Sequence, residues 1–254
     1  MRRAGVDPIE DSFRGLGRSA SAGVLAGLIV GGLGGRVVMR ISAIAADSDG
    51  LITEGGNRVG DVTVSGTIAL IIFGGALTGL VGGLVLFTIG SWLPRRTASR
   101  ALSFALVLTA ITGATIVAAE NRDFLILDPP ELNVALFLLL FAAFGIVAVV
   151  IDEALDGIIP ESPTARASGG RRYEAIGVAV PGGFVALLLL ADEKLFEAVF
   201  ILLVAVATSA HLAGVSSERS EERSPRLKAL GFGALLGACL AGTVSLILEI
   251  EQIV

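Results

Sequence analysis

Seven apolar stretches, each near or beyond the roughly 17 to 25 residues that cover a bilayer as a helix, leave this chain few ways to fold. They run at about 20–44, 66–92, 101–119, 132–151, 174–191, 195–214 and 228–250. Continuous apolarity without two-residue alternation excludes a membrane barrel. The stretches therefore predict an all-α, polytopic bundle of about seven transmembrane helices. With 54% hydrophobic and only 17% charged residues, the chain has more apolar surface than a soluble domain of this length can cover.

The basic residues supply an orientation. Fourteen of the 19 Lys and Arg residues fall in alternate connections: Arg2, Arg3, Arg14 and Arg18; Arg95, Arg96 and Arg100; Arg166, Arg171 and Arg172; and Arg219, Arg223, Arg226 and Lys228. The opposite connections hold only Arg58, Arg122 and Lys194, and Arg36 and Arg40 lie inside the first span. The positive-inside rule then predicts a cytosolic N-terminus and, with seven crossings, an outer C-terminus. Trp92 and Tyr173, the sole residues of their kinds, both fall at predicted cytosolic boundaries, where amphipathic aromatics anchor helices. The expected organisation is a cytosolic segment over 1–19, with an interfacial helix after Asp7 and Pro8, followed by one membrane domain over 20–254. Residues 1–18 are polar and carry acids as well as arginines, which reads as a retained segment rather than a cleaved signal.

Smaller signals mark the connections. Gly55, Gly56 and Asn57 predict a small outer hairpin within 45–65. Asp128, Pro129, Pro130 and Glu131 predict a helix start with Asp128 as cap. The stretches from Asp152 to Arg172 and from Ser216 to Arg226 read as linkers.

Glycine spacing is the sharpest pattern beyond apolarity. Gly23, Gly27, Gly31 and Gly35 recur every four residues in the first span, Gly75, Gly79 and Gly83 in the second, and Gly233 and Gly237, continued by Ala241, in the seventh. Such ridges let backbones touch where lipid offers no hydrophobic drive for association. They predict a glycine zipper linking the first, second and seventh helices, with an oligomer seam as the alternative use.

Among the charges, Arg36 sits roughly 27 Å along the helix from Arg18 at about 1.5 Å per residue, near the outer edge of the hydrocarbon, with Arg40 one turn on. One expectation is that both snorkel to outer phosphates. The other is that they turn inward and form an outer vestibule with Glu54, Arg58, Asp61, Glu120 and Asp123, with Asp128 and Glu131 as further acids, for an anionic or polar ligand. The outer side as a whole is acidic, with 13 carboxylates against five basic residues.

Several chemistries find no support. No Asp, Glu, Lys or His falls near the centre of any predicted span, which argues against proton- or ion-coupled transport. Thr109, Thr112 and Thr115, and the kink expected at Pro181, Gly182 and Gly183, are the polar or irregular features nearest the centre. His211 is the only histidine and Cys239 the only cysteine, so a metal site of the two-histidine or multi-thiol kind is not expected, nor is any cofactor. Basic clusters without interleaved aromatics give no nucleic-acid surface. Glu221, Glu222 and Arg226 match the spacing of a motif of intramembrane prenyl-protein proteases, but that family also needs histidines on later helices, which this chain lacks. The reading is a multi-pass protein of a prokaryotic plasma membrane, non-catalytic, acting as a binding, sensory or accessory subunit at its extracytoplasmic face. Its partners would be the lipid bilayer and a membrane protein or further copies of itself. The alternatives are a passive channel or permease for a small polar solute and, behind it, an intramembrane enzyme.

Overall fold

A computed structural model describes residues 8–46, 63–119, 121, 124, 127–156 and 225–254. Every regular element among them is helical, and they assemble into five rods. The first, α1, runs unbroken from Pro8–Ala26 through a wider π-helical stretch, Gly27–Gly34, to Gly35–Ala45. The second, α2, joins Val64–Ala69, a π-helical stretch Leu70–Leu77, and Thr78–Ile89. Then come α3 (Thr97–Ile116), α4 (Pro130–Asp156) and α5 (Pro225–Ile253).

All five rods contain a stretch long and apolar enough to cross a membrane: Gly15–Ala45, Val64–Ile89, Thr97–Ile116, Pro130–Asp156 and Leu235–Ile253. They coincide with five of the seven stretches read from the sequence. The remaining two, at 174–191 and 195–214, lie outside the described residues, as do the Pro181 kink and positions 47–62 of the expected 45–65 hairpin. The last residues of that hairpin are corrected to the cap (Thr63) and first turn (Val64, Ser65) of α2.

Local chemistry explains the helix ends. Thr63 is extended, and its Oγ1 accepts the Gly66 N–H at 3.1 Å, capping α2. At α4 the start is displaced by one residue from the expected one. The Pro129 carbonyl accepts the Leu132 N–H at 3.2 Å, and the Asn133 side chain donates to the Leu127 and Pro129 carbonyls at 2.8 and 3.1 Å. Asn133 ties the turn from inside the helix, so Pro129, not Asp128, stands before the first helical residue. At the other end of α4 the expected linker is also corrected, because Asp152, Glu153 and Asp156 still belong to the helix. The segment from Pro8 is helical, as expected after Asp7 and Pro8, and runs without a break into the first span.

Surroundings of the side chains are inverted relative to a soluble bundle. Leu25, Ile29, Leu33 and Val37 form an exposed row along α1, and Leu106 and Leu139 are 71% and 64% exposed on α3 and α4. Inside, Ala22, Ala26, Val85, Leu86, Phe104, Ala148 and Val149 fill the centre. An outward row of large aliphatic residues is tolerated in lipid and is an aggregation hazard in water. With lipid as solvent, this interior coheres by dispersion and close approach, not by escape from water.

The tightest contact joins α1 to α2. A Cβ placed on Gly23 would overlap the Gly79 carbonyl oxygen and stand 2.5 Å from the Gly83 nitrogen. On Gly79 it would stand 2.9 Å from the Gly27 Cα, and on Gly83 3.0 Å from the Ala20 Cα. Gly31 likewise meets the backbone of Gly74 and Gly75, while Gly35 meets only the Leu70 side chain, at 3.6 Å. The two π-helical stretches face each other across this seam. The expected extension to the seventh span is corrected. Among the described residues nothing lies within 4 Å of a Cβ at Gly233 or Gly237, and α5 packs chiefly on α3. There a different glycine, Gly242, admits the Ala110 backbone.

Register follows from these pairings. Gly34 meets Leu140 while Arg18 meets Asp152, so α1 and α4 are antiparallel. Gly145 meets Ala105 and Gly113 meets Leu138, so α3 and α4 are antiparallel too. Along α5, Gly242 meets Ala110, Leu246 meets Gly113, and Glu249 meets Ala119, so α5 runs parallel to α3. The chain therefore leaves α4 and enters α5 at the same end of the bundle.

Candidate functional site

The described charges gather at the two ends. At the end where α1 and α3 begin and α4 finishes, Asp152 has a fully buried side chain. Its Oδ1 accepts from Arg18 Nε at 3.0 Å and from the Ser19 hydroxyl at 2.7 Å. Its Oδ2 lies 3.4 Å from an Arg100 guanidinium nitrogen. The same two arginines reach on to neighbouring acids, Arg18 to Asp156 and Arg100 to Glu153 at 3.7 Å.

Burying a carboxylate costs several kcal/mol unless strong partners replace its water. Asp152 finds them on two other helices, so α1, α3 and α4 share one polar knot at this end. The knot holds these three helices together.

The opposite end is built differently. Arg36 is half-buried, and its Nε is buried without a hydrogen-bond partner and without an ion pair among the described residues. Arg40 is exposed one turn further along. Of their expected companions, Glu54, Arg58, Asp61, Glu120 and Asp123 lie outside the described residues, and Asp128 and Glu131 are exposed. Two fully or nearly buried polar side chains also stand at this end, Ser42 and Asn133, with Ser42 Oγ and Asn133 Oδ1 lacking hydrogen-bond partners among the described residues. Glu249 near the end of α5 accepts the Ala119 N–H at 2.7 Å, joining α5 to the end of α3. Phe124 and Phe137 meet edge to face nearby, with centroids 5.3 Å apart.

Between the ends the core is apolar. Thr109 is an exception, its Oγ1 buried without a hydrogen-bond partner among the described residues. Thr115 donates to the Thr112 carbonyl at 2.8 Å, the usual way a helical threonine is satisfied.

Neither family models, nor characterised proteins, nor solved structures match this chain. Its functional reading therefore rests on its own geometry.

Sequence reasoning missed the Asp152 knot. The signal was available: three acids at 152, 153 and 156 follow one span directly, and Arg18 and Arg100 open two others on the same predicted side. Read one loop at a time, these residues look like solvated boundary charges, and only a comparison across spans suggests that they meet. Gly242 and Gly145 were missed for a related reason, since neither belongs to a glycine row.

Proposed function

We propose that this chain is a seven-span protein of a prokaryotic plasma membrane, with a cytosolic N-terminus and an outer C-terminus. Within it we read a non-catalytic binding, sensory or accessory subunit that works through its extracytoplasmic face. The observation that carries the reading is the distribution of polar groups: the described core is filled by aliphatic side chains and Phe104, and the described Asp, Glu, Lys and Arg residues stand toward its ends. A filled apolar interior suits a protein that presents a surface, not one that conducts ions.

The seven-span count draws support from the parallel register of α3 and α5. A chain that leaves α4 and enters α5 at one end must cross an even number of times between them, and the stretches at 174–191 and 195–214 supply two crossings. The 14 basic residues in alternate connections support a cytosolic Asp152 end under the positive-inside rule. The opposite end is then extracytoplasmic; there Arg36 Nε, Ser42 Oγ and Asn133 Oδ1 are buried without a hydrogen-bond partner among the described residues, as are Arg100 Nε and Asp152 Oδ2 within the knot, and such atoms are where a bound group finds hydrogen bonds. A membrane protein partner or a second copy of this chain fits such a surface.

Purification from its native membrane in mild detergent, followed by mass spectrometry, tests the role. A stoichiometric partner whose retention falls in Arg36→Gln supports it, and a chain recovered alone as a monomer contradicts it. A second reading, a passive path for a small polar solute, is favoured by the buried, unpaired hydroxyl of Thr109. Proteoliposome swelling separates the two, since solute entry that changes in Thr109→Val belongs to a pore.

A further inference from the structure

Two pairs of arginines near the Asp152 end differ in their surroundings. Arg18 and Arg100 are engaged by Asp152, Asp156 and Glu153. Arg95 and Arg96, on the short turn from α2 to α3, are exposed and form no ion pair among the described residues. No acid occurs between Gly90 and Arg100 either.

That turn is well anchored. Leu93 is buried in the central cluster, Trp92 packs against the same cluster, and the Trp92 N–H donates to the Ile89 carbonyl at 2.8 Å. Two adjacent guanidinium groups thus stand on a fixed ledge beside the sole tryptophan, where one apolar rod ends and the next begins. A half-buried indole at such a point belongs at the headgroup level of a bilayer. Guanidinium groups match phosphate oxygens in geometry and charge, and basic residues beside a membrane favour anionic lipid.

We propose that Arg95 and Arg96 bind the phosphodiester headgroup of an anionic phospholipid, with Trp92 seated in the interface beside it. The inference rests on the membrane reading above but not on the accessory role. A zwitterionic lipid brings its own ammonium group to two cations that no carboxylate among the described residues pairs, so the anionic lipid wins.

The test uses the full chain, purified in mild detergent and stripped of lipid, then titrated with phosphatidylglycerol or phosphatidylcholine of identical acyl chains. Native mass spectrometry counts the lipids retained. Phosphatidylglycerol is expected to hold on the order of tenfold more tightly. The double variant R95Q/R96Q should lose that preference, each single variant should lose part of it, and R95K/R96K should keep part of it. Equal retention of the two lipids, or an undiminished preference in R95Q/R96Q, overturns the proposal. Displacement of phosphatidylglycerol by millimolar inorganic phosphate also overturns it, because the site would then read a free anion. Failure of the membrane reading is distinguishable, since the chain would stay soluble without detergent before any lipid was added.

Discussion

The seam between α1 and α2 and the glycine row of α5 have the same four-residue spacing and opposite surroundings. In the seam, Gly23 and Gly27 face Gly75, Gly79 and Gly83, and each side lacks the Cβ atoms that would hold the other away. On α5, nothing among the described residues approaches Gly233 or Gly237, while Gly242, about 100° round the helix from Ala241, receives the Ala110 backbone. Spacing thus specifies a surface that permits close approach. Which surface is used depends on a complementary backbone at the same level, and that is a property of two helices together.

Substitutions can break or sharpen this contrast. The largest effect is expected from Gly79→Leu, whose Cβ meets backbone on α1 that cannot yield; most of the monodisperse peak should vanish in fluorescence-detected gel filtration. Asp152→Ala should come next. It leaves Arg18 and Arg100 without their shared carboxylate at about 3 kcal/mol, read from equilibrium unfolding in micelles. Gly242→Leu, which drives a side chain into the Ala110 backbone, should cost about 2 kcal/mol in the same assay and loosen α5 from α3. Smallest is Gly237→Leu, expected within about 0.5 kcal/mol of wild type. A loss there as large as that of Gly79→Leu would break the comparison and reveal a backbone partner on that face of α5.

Much of the architecture was legible because apolarity along a helix is a local property. Five stretches read from composition reappear as α1 to α5, and the Gly23 to Gly83 ridges meet because both happen to lie on neighbouring helices. What was not legible depends on pairing across the bundle. Asp152 looked like the first residue of a linker, since an acid after an apolar run normally marks the water boundary. Arg18 and Arg100 reach it from two other helices and let it remain buried within α4. At the opposite end, Arg36 and Arg40 were legible as unusual, but five of the residues expected around them lie outside the described residues. Ser42 and Asn133, polar and unremarkable in sequence, prove to be buried there.

The most direct test of the central claim, a helical bundle threaded through a bilayer with its Asp152 end in the cytosol, is cysteine labelling in intact cells. In a Cys239→Ala background, single cysteines would replace Ala46, at the end of α1, and Ala98, on the exposed first turn of α3. An impermeant maleimide should modify the cysteine at 46 directly and the one at 98 only after permeabilisation. Equal reactivity at both positions, or ready modification at 98 with protection at 46, would contradict the account.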